Sequence, residues 1–244
     1  MIIFDEKEYA QSIEKKGFKT KNKRVYELNI LIKYWIYLGL DESKVKEKAI
    51  KFCEKYIEDF NYDEWYKVIN RTINSAYRRD LITGRVVNIT ENELNTIQQL
   101  ENIHLQKLAF VMLVLYKFHN CNKFKVTLDD LFSLSEINHN SEYRLKFLHK
   151  LTKLKLIDID DQGKRIVKFT DDDSEVKITI KKFDDFILHF YYFLGDKKIK
   201  WCEECSEVLI RITTANNNKY CKKCKRNKQL LHQRESMQKS RNNM

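Results

Sequence analysis

The chain has 244 residues, 43% of them hydrophobic, which is enough for one large domain or two smaller ones. Its longest apolar run, Leu108–Tyr116, is far shorter than the roughly 20 residues that span a bilayer. The first ten residues carry acids where a signal peptide carries bases. We therefore expect a cytoplasmic protein with no membrane partner.

The net charge of +11 is concentrated at one end of the chain. Residues 197–244 contain thirteen Lys or Arg and four Asp or Glu, a net +9, whereas residues 1–196 contribute only +2. Such asymmetry predicts an electrostatic partner for the tail, most often a nucleic acid.

Residues 1–86 are predicted to form a helical domain, because apolar residues recur there at three- and four-residue spacing. Asp41 and Asn61 are suited to begin helices as N-caps. Between the first two helices, Lys15–Arg24 holds six positive charges and no acid, and we interpret it as a solvated loop. The predicted helices are Phe4–Lys16, Arg24–Leu38, Glu42–Phe60 and Tyr62–Leu81.

Residues 87–196 predict a second domain with the element order of a winged helix-turn-helix. Thr90 and Glu93 form a capping-box pattern that opens one long helical stretch, and a short helix begins after Thr127. A third helix follows, and then two strands, Arg165–Phe169 and Glu175–Ile180, which we expect to pair as a hairpin. A generic helical domain carrying a hairpin is the alternative. The fold class is thus mainly α with small β elements.

In a winged helix, Ser141–Leu156 is the candidate recognition helix. At 100° per residue, one basic stripe contains Lys146, Lys150 and Lys153, beside His149. A separate apolar stripe is expected to face the core; its members are Tyr143, Phe147, Leu148, Leu151 and Leu154.

One feature argues against DNA contact by the hairpin. Its predicted turns are rich in aspartate, which phosphates would repel; these residues are Asp160, Asp161, Asp171, Asp172 and Asp173. The domain then contacts a protein, or DNA through the helix alone. Acidic clusters also hold catalytic metals, but turns give aspartate a local reason to be present.

The end of the chain carries four of the six cysteines in the pattern C-x2-C-x15-C-x2-C. This spacing predicts one metal site, whose ligands are Cys202, Cys205, Cys221 and Cys224. Strand-forming residues after the first pair and a turn at Asn216–Asn218 are expected to return the second pair to the first. We expect one structural Zn²⁺, because four cysteine ligands leave no position for water. A pair of disulfides is the alternative, which a reducing compartment disfavours.

The predicted zinc ribbon covers residues 197–228, and a basic tail follows at 229–244. Basic side chains crowd around the second cysteine pair and could neutralise phosphates of double-stranded DNA. A solvated basic tail is the alternative. The candidate nucleic-acid-binding residues are Arg211, Lys222, Lys223, Lys225, Arg226 and Lys228, together with the three lysines of the recognition helix.

No catalytic pattern is present: the sequence has no Walker loop, no H-E-x-x-H and no nucleophile elbow. We therefore expect a protein that is not an enzyme and takes no small-molecule substrate.

Three stretches, FDEKEYA at Phe4–Ala10, QKLAFVMLVLYKF at Gln106–Phe118 and the two cysteine pairs with their lysines, carry a resemblance. Their layout resembles that of prophage zinc-ribbon accessory proteins of low-G+C Gram-positive bacteria. Some phage accessory proteins of this size are recombination directionality factors, which bind a large serine integrase on DNA. The resemblance implies no catalytic residues.

The leading hypothesis is a non-enzymatic accessory protein that docks on a DNA-bound recombinase or transcription protein and holds DNA through its ribbon. Two other classes of function stay open. One is a pure protein-interaction module, such as an inhibitor of a host complex. The other is a sequence-specific winged-helix transcriptional repressor.

Overall fold

A computed structural model of the chain describes residues 2–212 and 219–242, with side chains up to residue 238. The chain divides into two compact units, Met1–Arg85 and Val86–Met244, which we call the N-terminal unit and the second unit. The architecture is mainly helical with small antiparallel sheets, as the sequence predicted. The predicted turn at Asn216–Asn218 lies outside the described residues.

The N-terminal unit consists of four α-helices at the predicted positions. Asp41 accepts a hydrogen bond from the Lys44 amide at 2.9 Å, and the Asn61 side chain accepts two from the next turn, so both predicted N-caps are confirmed. The last two helices end several residues earlier than expected. The helices are α1 (Glu6–Lys16), α2 (Arg24–Tyr37), α3 (Glu42–Tyr56) and α4 (Tyr62–Ala76).

This unit has an apolar core of its own. Ile13, Leu31, Trp35 and Ile69 are all fully buried in it. Gly17, which ends α1, has a φ of 83°, and a Cβ there would lie 2.5 Å from the Tyr56 ring, so only glycine fits. The four helices therefore share one apolar core within this unit.

The second unit is built around one buried helix. The predicted capping box of Thr90 and Glu93 is confirmed and begins a short helix, α5 (Glu91–Gln98). The expected single long helix is wrong, because Asn102 accepts a hydrogen bond from the His104 amide at 2.7 Å and begins a new helix, α6 (Ile103–Phe118). Most of α6 is buried on all sides.

Four further helices follow in the described part of the second unit. Helix α7 begins after Thr127, as predicted. Helix α8 stops short of the expected Leu156, since Lys155 turns the chain with a φ of 58°. The helices are α7 (Leu128–Leu134), α8 (Ser141–Lys153), α9 (Leu188–Phe193) and α10 (Lys222–Asn242).

Six strands form three two-stranded antiparallel sheets in the described part of the chain. Their members are β1 (Val87–Thr90) with β4 (Val176–Ile180), β2 (Ile157–Ile159) with β3 (Arg165–Val167), and β5 (Ile199–Trp201) with β6 (Leu209–Arg211).

The expected pairing of the two predicted strands is therefore wrong, although both strands exist. Strand β4 pairs with β1, which places the buried Ile178 and Ile180 opposite Ile89 and Val87. Strand β3 pairs with β2 through a tight turn, and its Arg165 also exchanges two backbone hydrogen bonds with Phe124. The alternation of apolar and polar residues identified the strands, but the strand with which each one pairs depends on contacts that are distant in sequence.

Candidate metal centre and basic C-terminal module

The first cysteine pair lies in the turn between β5 and β6. The Cys202 amide donates to the Val208 carbonyl at 2.8 Å, and the Ser206 amide donates back to the Cys202 carbonyl at 2.9 Å. Ser206 adopts a φ of 52°, which closes the turn. The local backbone thus holds the Cys202 and Cys205 side chains on one side of the turn.

The second pair lies at the start of α10. Cys221 directly precedes the helix and Cys224 is in its first turn. The two pairs are tied together by the Glu203 amide, which donates to the Lys219 carbonyl at 3.0 Å, and by the Cys221 amide, which donates to the Cys202 sulfur at 3.2 Å.

These elements bring the four predicted ligands together: their sulfur atoms all lie within 4.8 Å of one another. A tetrahedral site with metal–sulfur bonds of about 2.3 Å requires sulfur–sulfur distances of about 3.8 Å. Cys202 and Cys221 are buried, and the other two are half-buried. All six cysteines of the chain are free thiols in the structure. The four-cysteine cluster could therefore hold a metal ion.

The electrostatics of the cluster also suit a cation. Burial opposes ionisation of Cys202, but amide donors of Cys205, Cys221 and Glu204 outweigh it and lower its pKa to about 6. The hydrogen bond with Cys221, burial and the neighbouring sulfurs instead raise the pKa of Cys224 to about 12. The Cys202 thiolate therefore forms readily, whereas the Cys224 thiolate needs a positive ion to balance its charge.

We call residues 197–212 and 219–242 the cysteine module. Its hairpin packs on α9: Ile199 and Leu209 are buried against Leu188. On the same helix, His189 is buried beside Trp201, with ring centroids 5.6 Å apart, and burial lowers the pKa of His189 to about 4.

Arg211, a predicted nucleic-acid contact, instead helps to hold the cysteine module against the rest of the second unit. Its guanidinium pairs with Glu136 at 2.7 Å and lies over the Tyr191 ring at 5.0 Å. The Tyr191 hydroxyl donates to the same carboxylate at 3.0 Å. Sequence reasoning missed Glu136 and Tyr191, since nothing local marks a partner that far away in sequence.

The remaining predicted bases of the module differ in their surroundings. Lys228 pairs with Glu204 at 2.7 Å and lies over the Tyr220 ring at 4.1 Å. Lys222 is 3.8 Å from Asp185 and almost fully exposed. The other three, Lys223, Lys225 and Arg226, are exposed on α10.

The predicted lysine stripe of α8 is only partly assembled. Lys146 pairs with Glu142 one turn earlier at 2.6 Å, and Lys153 is exposed. Lys150 instead turns back to pair with Glu101, just before α6.

The predicted apolar stripe of α8 needs correction too. Leu148 and Leu151 are buried as expected, but Tyr143 and Leu154 are about half exposed. These two exposed residues lie in the first turn of α8 and directly after its last residue.

The acidic turns have structural roles. Asp160 accepts hydrogen bonds from the amides of Gln162 and Lys164 and closes the β2–β3 turn, and Lys123 lies 3.4 Å from its other oxygen. Hydrogen bonding to the Lys164 amide is the main reason why the pKa of Asp160 is lowered. Asp171 similarly bonds Ser174 and Thr90.

Helix α10 is the main feature that sequence reasoning missed. The predicted basic tail continues as helix through Asn242, in line with a segment that contains no glycine or proline. Every described side chain from Lys225 to Gln238 is exposed.

Within the described residues, no helix combines the length and apolar character needed to cross a membrane. No protein-family model, curated protein or solved structure matches the chain.

Proposed function

We propose that this protein is a non-enzymatic accessory factor for a DNA transaction. It holds duplex DNA through the zinc-loaded cysteine module and docks on a DNA-bound protein such as a serine recombinase or a transcription protein. The observation that carries the proposal is the convergence of four sulfurs within 4.8 Å at the start of a basic helix.

Zinc is the metal that fits this donor set. Thiolates select soft or borderline ions, and Zn²⁺ imposes no geometry other than the tetrahedron that four cysteines provide. With all four positions taken by sulfur, no site remains for a reacting water, so the ion has a structural role.

The charge of the module supports phosphate binding. Four thiolates around one Zn²⁺ carry a formal charge of about −2, which leaves residues 197–244 near +7. Each phosphate neutralised by a base releases counterions, so the affinity should fall steeply with salt.

A pair of matched variants tests this proposal. In the first, Lys222, Lys223, Lys225 and Arg226 are replaced by Gln; in the second, Lys15, Lys16, Lys21 and Lys23, which are exposed in the N-terminal unit, are replaced. Fluorescence anisotropy with a labelled duplex measures affinity across a KCl series, after zinc content has been checked for both.

We expect the module variant to lose at least tenfold in affinity and the control variant to change less than threefold. Equal affinities for the two variants would remove the module from DNA binding. Absence of any salt-dependent binding by the wild type would instead favour a pure protein-interaction module.

A winged helix within the second unit is the finer part of the proposal. Helices α6, α7 and α8 followed by the β2–β3 hairpin give the required order, and Phe124 pairs with β3 as the first strand of such a domain does. The outward face of α8 carries Lys146, His149 and Lys153. Lys123 beside Asp160 reduces the repulsion expected at the wing.

This face also favours a second candidate function, a sequence-specific repressor. Replacing Lys146 and Lys153 by Gln would then abolish selection of one operator over random duplex, measured by competition at fixed salt. Unchanged selectivity would rule the repressor out and leave α8 to protein contact.

Docking on a DNA-bound protein is assigned to the N-terminal unit. Its support is a set of half-exposed aromatic side chains, a residue type enriched at protein interfaces. They are Tyr26, Tyr37, Tyr62 and Tyr77. A nuclease-treated pull-down that compares the wild type with Tyr26→Ser and Tyr37→Ser tests it; equal capture of the partner by all three would contradict it.

A further inference from the structure

Helix α10 has one face with a distinct composition. At 100° per residue, six side chains fall within an arc of about 100°, and all are exposed. They are Lys223, Arg226, Leu230, Gln233, Arg234 and Met237. Cys224, Lys228 and Glu235 lie on the opposite side, so the metal centre and the acid of this segment face away from it.

We propose that this face of α10 lies in the major groove of duplex DNA and that DNA binding stabilises the helix. The inference rests on the proposed DNA-binding function and deepens it, because it names the element, the face and the groove. Arginine, lysine and glutamine bind base edges and phosphates, and apolar side chains contact thymine methyl groups.

The length of α10 and the width of the DNA grooves agree with binding in the major groove. From Lys223 to Met237 the helix rises about 21 Å, the length of about six base pairs. The major groove of B-form DNA admits an α-helix, whereas that of duplex RNA is deep and narrow. The geometry therefore favours DNA over RNA.

The charge and the residue pattern of this face of α10 argue against two other partners, a second copy of the chain and a membrane surface. Residues 222–238 contain six Lys or Arg and one acid, so α10 helices of two copies would repel each other. A membrane-surface helix separates its bases from its apolar residues, but here Leu230 and Met237 lie between the bases on the same face. A polyanion with a groove fits better than a second copy or a lipid surface.

The stability of helix α10 should also depend on its DNA partner. Beyond Lys228 the described part of α10 exposes every side chain, and isolated helices of this length are marginal in water. Contacts along the groove would supply the missing stabilisation. Amide protection in residues 229–238 should then appear only in the complex.

The test uses full-length zinc-loaded protein and two variants that each remove two charges from the cysteine module. Arg226→Gln with Arg234→Gln changes the proposed face of α10, and Lys197→Gln with Lys198→Gln changes two exposed lysines of the module outside α10. Gln keeps a good helix propensity, which circular dichroism checks. Affinity for a labelled duplex is measured across a KCl series, and hydrogen exchange with and without DNA.

We expect the face variant to lose at least tenfold in affinity, with a salt slope reduced by about two. The control variant should change less than threefold, and DNA should protect residues 229–238. Equal losses in both variants, or no protection on binding, would overturn the groove assignment while leaving module binding intact.

Two further probes complete the test. Equal affinity for duplex RNA of the same sequence, or for anionic phospholipid vesicles, would overturn the choice of DNA. If the wild type binds no duplex at all, the proposed function fails together with this inference.

Discussion

The N-terminal unit and the cysteine module are stabilised in different ways. The first has 85 residues and an extended apolar core with Trp35 fully buried. The described part of the second has two small clusters, one of Cys202, Ile210 and Cys221 and one in which Ile199 and Leu209 pack on α9. Segments below about 40 residues usually need a metal or disulfides. The stability of the N-terminal unit should therefore depend on apolar burial, and that of the cysteine module on its metal ion.

Metal removal should separate the two regions most strongly. Structural zinc sites contribute about 10–16 kcal/mol to the folding of small modules, so a chelator should unfold the cysteine module. Hydrogen exchange measures this: residues 199–211 should lose protection while residues 24–76 keep it.

Single cysteine variants provide the matched control for that experiment. Cys221→Ser removes a ligand and should release the zinc, whereas Cys121→Ser changes an exposed cysteine outside the cluster. If both variants retain one zinc per chain, the cysteine module does not depend on these ligands.

A cavity in the N-terminal unit should do the reverse: it should destabilise that unit and leave the cysteine module folded. Trp35→Ala should destabilise that unit by about 3–5 kcal/mol. It also removes the indole N–H that donates to Glu14 at 2.8 Å, while Lys48 still donates to the same carboxylate. Urea unfolding followed by hydrogen exchange locates the loss. Val25→Ala, at a half-exposed position, is the control. Zinc content should stay unchanged in both, and its loss in Trp35→Ala would contradict independent stabilisation.

A smaller effect is expected where the module meets α9. Burial holds the pKa of His189 near 4, below its ordinary value of about 6.5, so the folded state binds the proton less well than the unfolded state. The stability due to the neutral ring is complete above pH 6.5 and is lost as the pH falls towards 4.

Between pH 7.5 and 5 the wild type should lose about 2 kcal/mol more than His189→Phe, measured by urea unfolding of the second unit. The comparison cancels acid effects on the cysteines, which both proteins share. Parallel pH profiles would show that His189 is not held neutral.

The smallest effect concerns surface charge. Lys51 pairs with Glu47 one turn apart on α3 at 2.6 Å, and both side chains are exposed. Lys51→Gln should not move the unfolding midpoint of the N-terminal unit measurably at physiological salt. A clear shift would mean that surface ion pairs, and not only burial, stabilise this unit.

The features that could be predicted from the sequence are those that depend on interactions between residues close together in the chain. Helices of the N-terminal unit were predictable because Asp41 and Asn61 act on amides two or three residues away. The cysteine cluster was predictable because the C-x-x-C spacing itself shapes each half of the site.

Long-range contacts were not predictable. Strand β1 pairs with β4 almost ninety residues later, and alternation in one strand does not identify its partner. Arg211 and Lys150 have the composition of DNA contacts, yet each pairs with a distant glutamate, Glu136 or Glu101. Charge in a sequence indicates what a residue could bind, and the fold decides what it meets first.

Zinc K-edge X-ray absorption of the purified full-length protein tests the central claim most directly. We expect one zinc per chain with four sulfur neighbours at about 2.3 Å. Absence of stoichiometric zinc, or a first shell that contains nitrogen or oxygen, would contradict a closed four-cysteine site that organises the C-terminal module.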